Sequence, residues 1–338
     1  MSNNIYLTGK CNLKCKYCFA SEYFDKVEQE ITLENFIKAL AFIKKDSSHI
    51  GLIGGEPTLH SQFNEITNIL LNDNDVNKIY LYTNGLNLYK YETLNNHKFN
   101  ILINCNPEEE IGENNFENLR KSIKHLREIK SSKISLGVNI NEHIDDYSYI
   151  FELLEIIDLD IVRVSYAISN IEKENSTNIL DSFIKIKPII ISFYKQCLKH
   201  NVIPNLDCNS IPYCILDSND RKIIMKILEL SKSKYTHKKI NIFPNSCTPV
   251  LDIFPNLTVG RCFGLSKYIK VHIENFSKMS DIEKYFIKEI DEYAKSVFID
   301  KKCKDCKYRL IDKCNICMSY KIKDILSFKN NCINCNKK

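Results

Sequence analysis

The sequence lacks the features of a membrane protein, a secreted protein or a nucleic-acid-binding protein. No stretch reaches the roughly 18 consecutive apolar residues of a membrane-spanning helix, and the start, MSNNIYLTGK, has no apolar signal segment. Lys and Arg total 47 against 42 Asp and Glu, with no basic run and no basic patch interleaved with aromatic residues. We therefore predict a cytoplasmic protein that binds neither nucleic acid nor a membrane.

Cysteine, by contrast, is abundant and unevenly placed. Of the 15 cysteines, three lie within the first 18 residues and ten lie between positions 208 and 335. Because the cytoplasm keeps thiols reduced, this usage indicates metal or cluster ligation more than disulfides. Cys105 and Cys197 stand alone, without a Cys or His at metal-ligand spacing, and we interpret them as small buried apolar residues.

The first half of the chain alternates short apolar runs with longer segments of helical period. Six strand-like runs extend from NIYL to IVRVSYA, with predicted crossover helices such as LENFIKALAFIKK between them. The pattern predicts an α/β fold: a partial (β/α)6 barrel over residues 1–200, followed by a small irregular cysteine-rich C-terminal domain over 201–338. We expect the second domain to be held together by metal more than by packing.

Some helical segments are less regular. LYKYETLNNHK is a weak helix candidate, and the long helical stretch from Ile179 is expected to be interrupted at Pro188. After position 201 only DSNDRKIIMKILELSKS and MSDIEKYFIKEIDEYAKSVF have a helical pattern. The acidic run at 108–110 is interpreted as a solvated loop face. His60 is interpreted as polar surface at a helix start, since it has no second catalytic partner at fixed spacing.

Three cysteines, Cys11, Cys15 and Cys18, follow the first predicted strand directly. A parallel sheet keeps its active site at the carboxyl ends of its strands, so the thiolates lie at that edge. A structural zinc site closes with four ligands, so three thiolates either need a distant fourth ligand or leave one metal position open. In a [4Fe–4S] cluster, three thiolates leave the fourth iron open to an exchangeable ligand.

Polar clusters also follow the next three strands. Gly54-Gly55-Glu56-Pro57 comes after the second, Thr83-Asn84-Gly85 after the third, and Asn104-Cys105-Asn106-Pro107 ends the fourth. A Gly-Gly pair before Glu-Pro is by itself more often a turn than a ligand site. Its place after the cysteine loop, with ordered polar residues on later strands, favours a ligand site.

Together these segments resemble a known family. Cys11-Asn-Leu-Lys-Cys15-Lys-Tyr-Cys18 resembles the CxxxCxΦC signature of the radical S-adenosylmethionine (SAM) enzymes, with Tyr17 in the aromatic place, and GGEP looks like their GGE segment. The resemblance implies SAM chelated to the open iron of a [4Fe–4S] cluster and cleaved by one electron to methionine and a 5′-deoxyadenosyl radical, which abstracts hydrogen from the substrate. It also implies an electron donor such as flavodoxin or ferredoxin.

The resemblance also implies which residues surround SAM. Gly55 and Glu56 would meet its amino group, and the strand-end residues would contact its ribose or carboxylate. The full set is Tyr17, Gly54, Gly55, Glu56, Pro57, Thr83, Asn84, Asn104, Asn139, Arg163 and Ser165. For Arg163 the alternative is an ion pair with a helix carboxylate such as Glu155.

The later cysteines have their own spacing. They occur as Cys208-x5-Cys214, Cys247-x14-Cys262, Cys303-x2-Cys306-x7-Cys314-x2-Cys317 and Cys332-x2-Cys335. A zinc ribbon prefers about 15–20 residues between its CxxC pairs, so the spacing counts against zinc without excluding it. Ten thiols suit two [4Fe–4S] clusters with two cysteines left over.

This half resembles the SPASM extension of radical SAM enzymes, which carries two auxiliary clusters, or its smaller relative, the twitch domain. SCTPVLDIFPNLTVGRCFG looks like the SPASM hairpin, but Leu257 stands in the place of the turn glycine. By resemblance, the first cluster would take Cys247, Cys262, Cys317 and one of Cys208 or Cys214. The second would take Cys303, Cys306, Cys314 and one of Cys332 or Cys335.

SPASM-type enzymes mostly modify peptides or proteins, and we predict a peptide-modifying maturase that performs an oxidation, a crosslink or thioether formation. The alternatives are a SPASM-type oxidase or dehydrogenase of a small molecule, and a non-catalytic Fe–S or Zn scaffold. Only ten residues precede Cys11. We therefore expect no N-terminal leader-peptide-binding domain, and recognition by the barrel mouth or by a separate leader-peptide-binding protein.

Overall fold

A computed structural model of the chain describes most of its residues. The described residues are 3–18, 30–129, 132–167, 179–236, 240–242, 247–266, 269–295, 297, 301–310, 314, 317 and 319. Cys332 and Cys335 lie outside them, as does the side chain of Cys208. Within the described residues, no helix is long and apolar enough to cross a membrane.

One sheet of ten strands organises the described chain, in the order β10-β9-β8-β1-β2-β3-β4-β5-β6-β7. The strands are β1 Asn3–Tyr6, β2 His49–Ile53, β3 Lys78–Thr83, β4 Phe99–Asn104, β5 Lys133–Ile140, β6 Ile161–Tyr166, β7 Ile203–Cys208, β8 Leu251–Ile253, β9 Thr258–Gly260 and β10 Lys270–His272. From β1 to β7 each strand is parallel to the next. The predicted α/β fold with a partial barrel of six strands and crossover helices is confirmed.

The helices follow the strands as the alternation predicts. They are α1 Leu33–Ile43, α2 Phe63–Asn72, α3 Glu108–Ile111, α4 Glu113–Ile129, α5 Tyr149–Ile157, α6 Ile179–Lys199, α7 Ser218–Lys234, α8 Met279–Phe286, α9 Glu292–Ala294 and α10 Lys307–Leu310. The cap residues explain two of the starts: the Thr32 side chain accepts from the Asn35 N–H, and Asp217 forms a capping box with Asp220.

Three local predictions are wrong. The weak helix after β3 is replaced by two short 3-10 turns, Leu88–Lys90 and Glu92–Leu94. Pro188 does not interrupt α6, whose buried face continues on both sides of the proline and offsets the one helical hydrogen bond that proline removes. The acidic run at 108–110 forms the helical turn α3 after Pro107. At Pro188 tertiary packing outweighs local propensity.

The sheet continues past the predicted barrel in both directions. β7 pairs with β6, and β8 pairs in parallel with β1 on the other side. The Asn4 amide of β1 donates a 2.8 Å hydrogen bond to the buried Asp252 carboxylate of β8. Burial raises the pKa of Asp252 to about 7. Since a single sheet includes strands from both predicted domains, the boundary at residue 200 stays a prediction.

The hairpin β8–β9 forms a tight turn although Leu257 stands in the place of the usual glycine. The Phe254 carbonyl accepts from the Leu257 N–H, and the Phe254 N–H donates to the Thr258 carbonyl, both at 2.8 Å. Leu257 has a φ of 63° and is 6% exposed. Leucine therefore occupies the left-handed conformation that glycine adopts without cost, and its side chain is buried in compensation.

We expect Leu257→Gly to be more stable than Leu257→Ala by about 1 kcal/mol, because both lose the buried side chain and only alanine keeps a Cβ at positive φ. Val259, in the adjoining strand, is the matched control. There the order reverses, because glycine in a strand loses more conformational entropy than alanine. The apparent melting temperatures of the four anaerobically purified variants test this. If the alanine variant at 257 melted at or above the glycine variant, the turn assignment would be wrong.

Candidate active site

The chain leading to the cysteine loop is hydrogen-bonded to the chain that leaves β2. The Gly55 N–H donates to the Thr8 carbonyl and the Glu56 N–H to the Lys10 carbonyl, both at 2.8 Å. A Cβ on Gly55 would lie 2.4 Å from the Lys10 oxygen, and one on Gly54 would lie 2.6 Å from the Thr8 oxygen. Both positions require glycine so that two backbones can approach next to Cys11.

Glu56 is fully buried at the centre of this edge. Its Oε1 accepts from the Thr58 N–H at 3.2 Å, the Thr58 hydroxyl at 2.7 Å and the Thr83 hydroxyl at 2.8 Å. Its Oε2 accepts from the Asn84 N–H at 2.7 Å. Burial raises the pKa of Glu56, and these donors lower it in opposition. The carboxyl thus joins the carboxyl ends of β2 and β3.

Two further contacts hold the cysteine loop. Asn84, just past β3, donates from Nδ2 to the Asn12 side chain at 2.7 Å. Glu110 of α3 forms an ion pair with Lys16 at 3.7 Å. The acidic run is therefore more than a solvated face, because one of its carboxylates contacts the loop between Cys15 and Cys18.

Tyr17 connects the loop to β4. Its hydroxyl donates to Oδ1 of Asn106, and Nδ2 of Asn106 lies 3.5 Å from the Cys15 sulfur. Burial raises the pKa of Tyr17 well above its usual range, with the Cys15 charge acting in the same direction and a hydrogen bond from Asn139 acting against it. Burial also raises the pKa values of Cys11 and Cys15.

Arg163 lies on β6 and does not pair with Glu155. Its Nε and NH2 donate to Asp207 of β7 at 3.0 and 2.7 Å, and its NH1 donates to Oδ1 of Asn139 at 2.8 Å. Its ion-pair partner Asp207 lies on the neighbouring strand β7. Ser165 is directly opposite Asn139 in the β5–β6 register.

Asn104 carries a buried acceptor that lacks a partner among the described residues. Its Oδ1 is inaccessible to solvent and makes no hydrogen bond, although the residue ends β4 at the same edge as the cysteine loop. A buried amide oxygen without a donor is costly, so it is a natural contact point for a ligand with an N–H or O–H group.

In the second half, one group of thiols lies beside the hairpin. The Cys247 and Cys262 thiols each experience the charge of Cys317, and burial followed by that charge raises the pKa of Cys262 to about 12. Arg261 is fully buried beside them, with NH1 3.5 Å from the Cys247 sulfur and NH2 2.8 Å from Oδ2 of Asp291. A buried cation therefore faces this group.

A second group of thiols includes Cys214, which the resemblance gave as one of two candidates for the first cluster. Burial raises the pKa of Cys314 to about 11, and the charges of Cys214, Cys303 and Cys306 contribute to that rise. The rings of Tyr213 and Tyr308 lie 4.8 Å apart, so the turn that carries Cys214 packs against α10, which follows Cys306. Cys214 thus lies with the Cys303–Cys314 group.

These thiols are the type of donor that iron–sulfur clusters use. Among the described residues, no three His, Cys, Asp or Glu side chains converge on one point as a single ion requires. A cubane cluster instead presents its irons at separate corners, each to one thiolate. Three thiols in one loop, with the unpaired Asn104 oxygen at the same edge, match a cluster that keeps one iron for a further ligand.

The comparisons with known proteins also distinguish the first half of the chain from the cysteine-rich second half. Residues 5–154 match the family model described as the Radical SAM superfamily. This part of the chain is therefore a radical SAM domain. Its sequence relatives include a GTP 3′,8-cyclase of Mannheimia succiniciproducens, 27% identical over 42% of this chain and 46% of the relative. A probable GTP 3′,8-cyclase of Pyrococcus horikoshii is 26% identical over 58% of this chain and 65% of the relative. The chain thus matches less than two thirds of either relative.

Two solved structures share the fold over nearly the whole chain. Native anSMEcpe with bound AdoMet and Kp18Cys peptide has a TM-score of 0.63 and 16% identity, and the match covers 100% of this chain and 99% of that one. The same enzyme with Cp18Cys peptide has a TM-score of 0.61, with 98% and 96% covered. At this identity the likeness shows a shared fold, which extends through the cysteine-rich half.

Two interpretations outside the radical SAM site can also be compared with the structure. Cys105 and Cys197 are 2% and 0% exposed, which confirms that they are buried apolar residues. His60 is not surface: it is 4% exposed, with Nε2 2.9 Å from the Ile31 carbonyl and Nδ1 accepting from the Gln62 N–H. It connects the start of α2 to the chain before α1.

Several residues of the radical SAM site were missed from the sequence. Asn12, Asn106 and Asp207 each bind a residue that was predicted. Asn106 had the most accessible signal, because it follows β4 within the polar segment that includes Asn104. Asp207 had none, because β7 itself, with Pro204 inside it, was not predicted as a strand.

We expect Glu56→Gln to lower the free energy of unfolding by about 1–3 kcal/mol, the cost of an unsatisfied buried donor. The hydroxyls of Thr58 and Thr83 can rotate to accept from the new amide. The backbone N–H groups of Thr58 and Asn84 cannot, so one of them loses its acceptor in either amide orientation. Glu65→Gln, at an exposed position on α2, is the control. Equal melting temperatures for the two variants would contradict the role given to Glu56.

Proposed function

We propose that this radical SAM enzyme is a peptide or protein maturase that oxidises or crosslinks a side chain of its substrate. The observation that carries the proposal is the extent of the fold likeness: the match to an enzyme solved with AdoMet and a peptide covers the cysteine-rich half as well as the barrel. Its low identity leaves the substrate as a proposal.

Cys11, Cys15 and Cys18 would hold the first [4Fe–4S] cluster, and SAM would bind at its open iron. When bound, the cluster supplies the electron that cleaves SAM to methionine and a 5′-deoxyadenosyl radical, which removes a hydrogen atom from the substrate. The protein orients both groups. Gly54, Gly55 and Pro57 shape the backbone beside the loop, Glu56 connects β2 to β3, and Thr83 and Asn84 share its hydrogen bonds.

The remaining polar residues would contact SAM from the other strands. The Asn104 oxygen is available to a donor group of SAM or of the substrate. Asn139, Arg163 and Ser165 lie next to one another across β5 and β6, within a hydrogen-bonded set that also reaches Tyr17. They are the candidates for the ribose and the carboxylate.

Two auxiliary clusters would occupy the second half. Cys247, Cys262 and Cys317 would share the first, beside Arg261 and Asp291. The proximity of Cys214 to Cys303, Cys306 and Cys314 supports its assignment to the second, in place of Cys332 or Cys335. Cys208 remains a candidate for the first. An oxidation that removes electrons after hydrogen abstraction needs an exit for them, and such clusters supply one.

A nucleotide or other small molecule is the second candidate substrate. The observation that favours it is sequence similarity: the GTP 3′,8-cyclase of M. succiniciproducens is 27% identical over 154 residues. An S-adenosylmethionine-dependent nucleotide dehydratase of Selenomonas ruminantium is also 36% identical over 84 residues. These matches cover less of the chain than the shared fold of the maturase does. For either substrate a flavodoxin or ferredoxin is the proposed electron donor. A leader-peptide-binding protein is a proposed partner for a peptide substrate only.

We expect the anaerobically reconstituted, dithionite-reduced protein to convert SAM to 5′-deoxyadenosine, and Cys11/Cys15/Cys18→Ala to lose this activity completely. The physical reason is that only this loop keeps an iron open for SAM. Chromatography of the products measures it. Cys105→Ala is the matched control, since that thiol is buried and isolated. Undiminished product from the triple variant would refute the assignment.

The same assay distinguishes the substrates. A panel of Cys- and Ser-containing peptides that accelerates deoxyadenosine formation and gains or loses mass supports the maturase, and acceleration by GTP alone supports the second candidate.

The auxiliary clusters are tested by iron content in the Cys11/Cys15/Cys18→Ala background. We expect about eight irons per chain for two cubanes, and about four after Cys214→Ala or Cys303→Ala. The double variant Cys214/Cys303→Ala should also keep about four, because both residues serve one cluster.

Cys214/Cys262→Ala should lose nearly all of the iron, because these residues would serve different clusters. The reverse pattern for the two double variants would return Cys214 to the first cluster. Zinc in place of iron would make the second half a structural module.

A further inference from the structure

We propose that Asn106 is a positioning residue that raises the reduction potential of the SAM-binding cluster by donating a hydrogen bond to the Cys15 sulfur. The inference rests on the proposed function, which assigns Cys15 to that cluster. Cys15 is a free thiol in this structure, and its sulfur stands in for the thiolate that would bind iron.

Asn106 is buried, and both ends of its side-chain amide contact the cysteine loop. The residue is 5% exposed, and its Nδ2 lies 3.5 Å from the Cys15 sulfur, within the range of hydrogen bonds to sulfur. Its Oδ1 accepts from the Tyr17 hydroxyl. Both ends of the amide are therefore engaged by the cysteine loop, one by a cluster ligand and the other by the residue next to Cys18.

The direction of these hydrogen bonds follows from Arg163, which can only donate. Its NH1 donates to Asn139 Oδ1, so the Asn139 Nδ2 is the end left to donate to Tyr17, whose pKa that hydrogen bond lowers. The Tyr17 hydroxyl, having accepted, donates to Asn106 Oδ1. The Asn106 Nδ2 is then the end that faces the Cys15 sulfur.

Asp207 holds Arg163, the first residue in this series of hydrogen bonds. It holds two nitrogens of Arg163 at 2.7 and 3.0 Å, which leaves NH1 for Asn139. Gly137 lies directly opposite Arg163 in the register, and a Cβ there would come within 3.0 Å of the Arg163 Cδ. A chain of polar contacts thus extends from β7, across β6 and β5, to the cluster ligand.

A donor on a cluster sulfur favours the reduced state, because reduction adds negative charge to the cluster and its ligands. Hydrogen bonds to the sulfurs are among the factors that set cluster potentials, and a buried hydrogen bond is electrostatically stronger than an exposed one. SAM cleavage requires a low potential. Asn106 would limit how low the potential becomes, so that a protein electron donor can still reduce the cluster.

The experiment compares the cluster potential in four variants of the full-length holoprotein. Redox titration is followed by the electron paramagnetic resonance signal that changes when SAM is added, so the auxiliary clusters do not interfere. Asn106→Leu removes the donor without adding charge, and Asn106→Asp keeps an acceptor for Tyr17 but cannot donate when ionised. Tyr17→Phe keeps the ring and removes the hydroxyl, which orients the Asn106 amide and also hydrogen-bonds to Cys15.

We expect both Asn106 variants to have a more negative potential than the wild type, and Tyr17→Phe to shift it in the same direction. Tyr149→Phe is the matched control. It also removes a buried hydroxyl hydrogen bond, 2.8 Å to the Cys105 carbonyl, but does not contact the cysteine loop through it. Its potential should equal that of the wild type.

The failures of the two proposals are distinguishable. If the wild type binds no iron at the N-terminal loop, the proposed function fails. If the cluster is present at full iron content and the Asn106 variants keep the wild-type potential, this inference alone is overturned. An equal shift in Tyr149→Phe would also overturn it, because the effect would then come from general loosening of the β4 edge.

Discussion

The contact on which the site depends is the close approach of two backbones beyond the ends of β1 and β2. The chain carries the cysteine loop on one side and GGEP on the other, and their hydrogen bonds join Gly55 to Thr8 and Glu56 to Lys10. No side chain can enter this space, which is why glycine is needed at 54 and 55. The loop therefore begins from a rigid edge, although it has no regular secondary structure of its own.

Buried polar groups then connect that edge to the rest of the sheet. Glu56 links β2 to β3, and Asn106 and Tyr17 link the loop to β4. Arg163 and Asn139 extend the connection to β5, β6 and β7. Each carboxylate or amide has partners, as buried polar groups must. Asn104, whose oxygen has none among the described residues, is the exception that points to a ligand.

Sequence reasoning predicted the parts of this arrangement that depend on local patterns. Alternating apolar runs gave six strands, and cysteine spacing with GGEP gave the family. It left the choice open where a side chain has several distant partners. Arg163 pairs with Asp207, whereas Glu155 was the alternative to a ligand role, and Cys214, one of two candidates for the first cluster, lies near Cys306. Both depend on which strand or turn is the spatial neighbour, and a short strand containing proline gives little warning of that. Leu257 shows the converse, because an unfavourable residue is accepted where the surrounding hairpin determines its conformation.

The position of β1 affects how the protein can fold during synthesis. β1 pairs with β2 on one side, but its other partner, β8, comes much later, and the hydrogen bond between Asn4 and Asp252 joins residues 248 positions apart. Until the ribosome has made the second half, that edge of β1 is open, and open strand edges are templates for incorrect pairing. The strand that precedes the cysteine loop is therefore made long before β8, the strand that completes its pairing. Premature metal loading of the nascent chain would occur on an unfinished sheet.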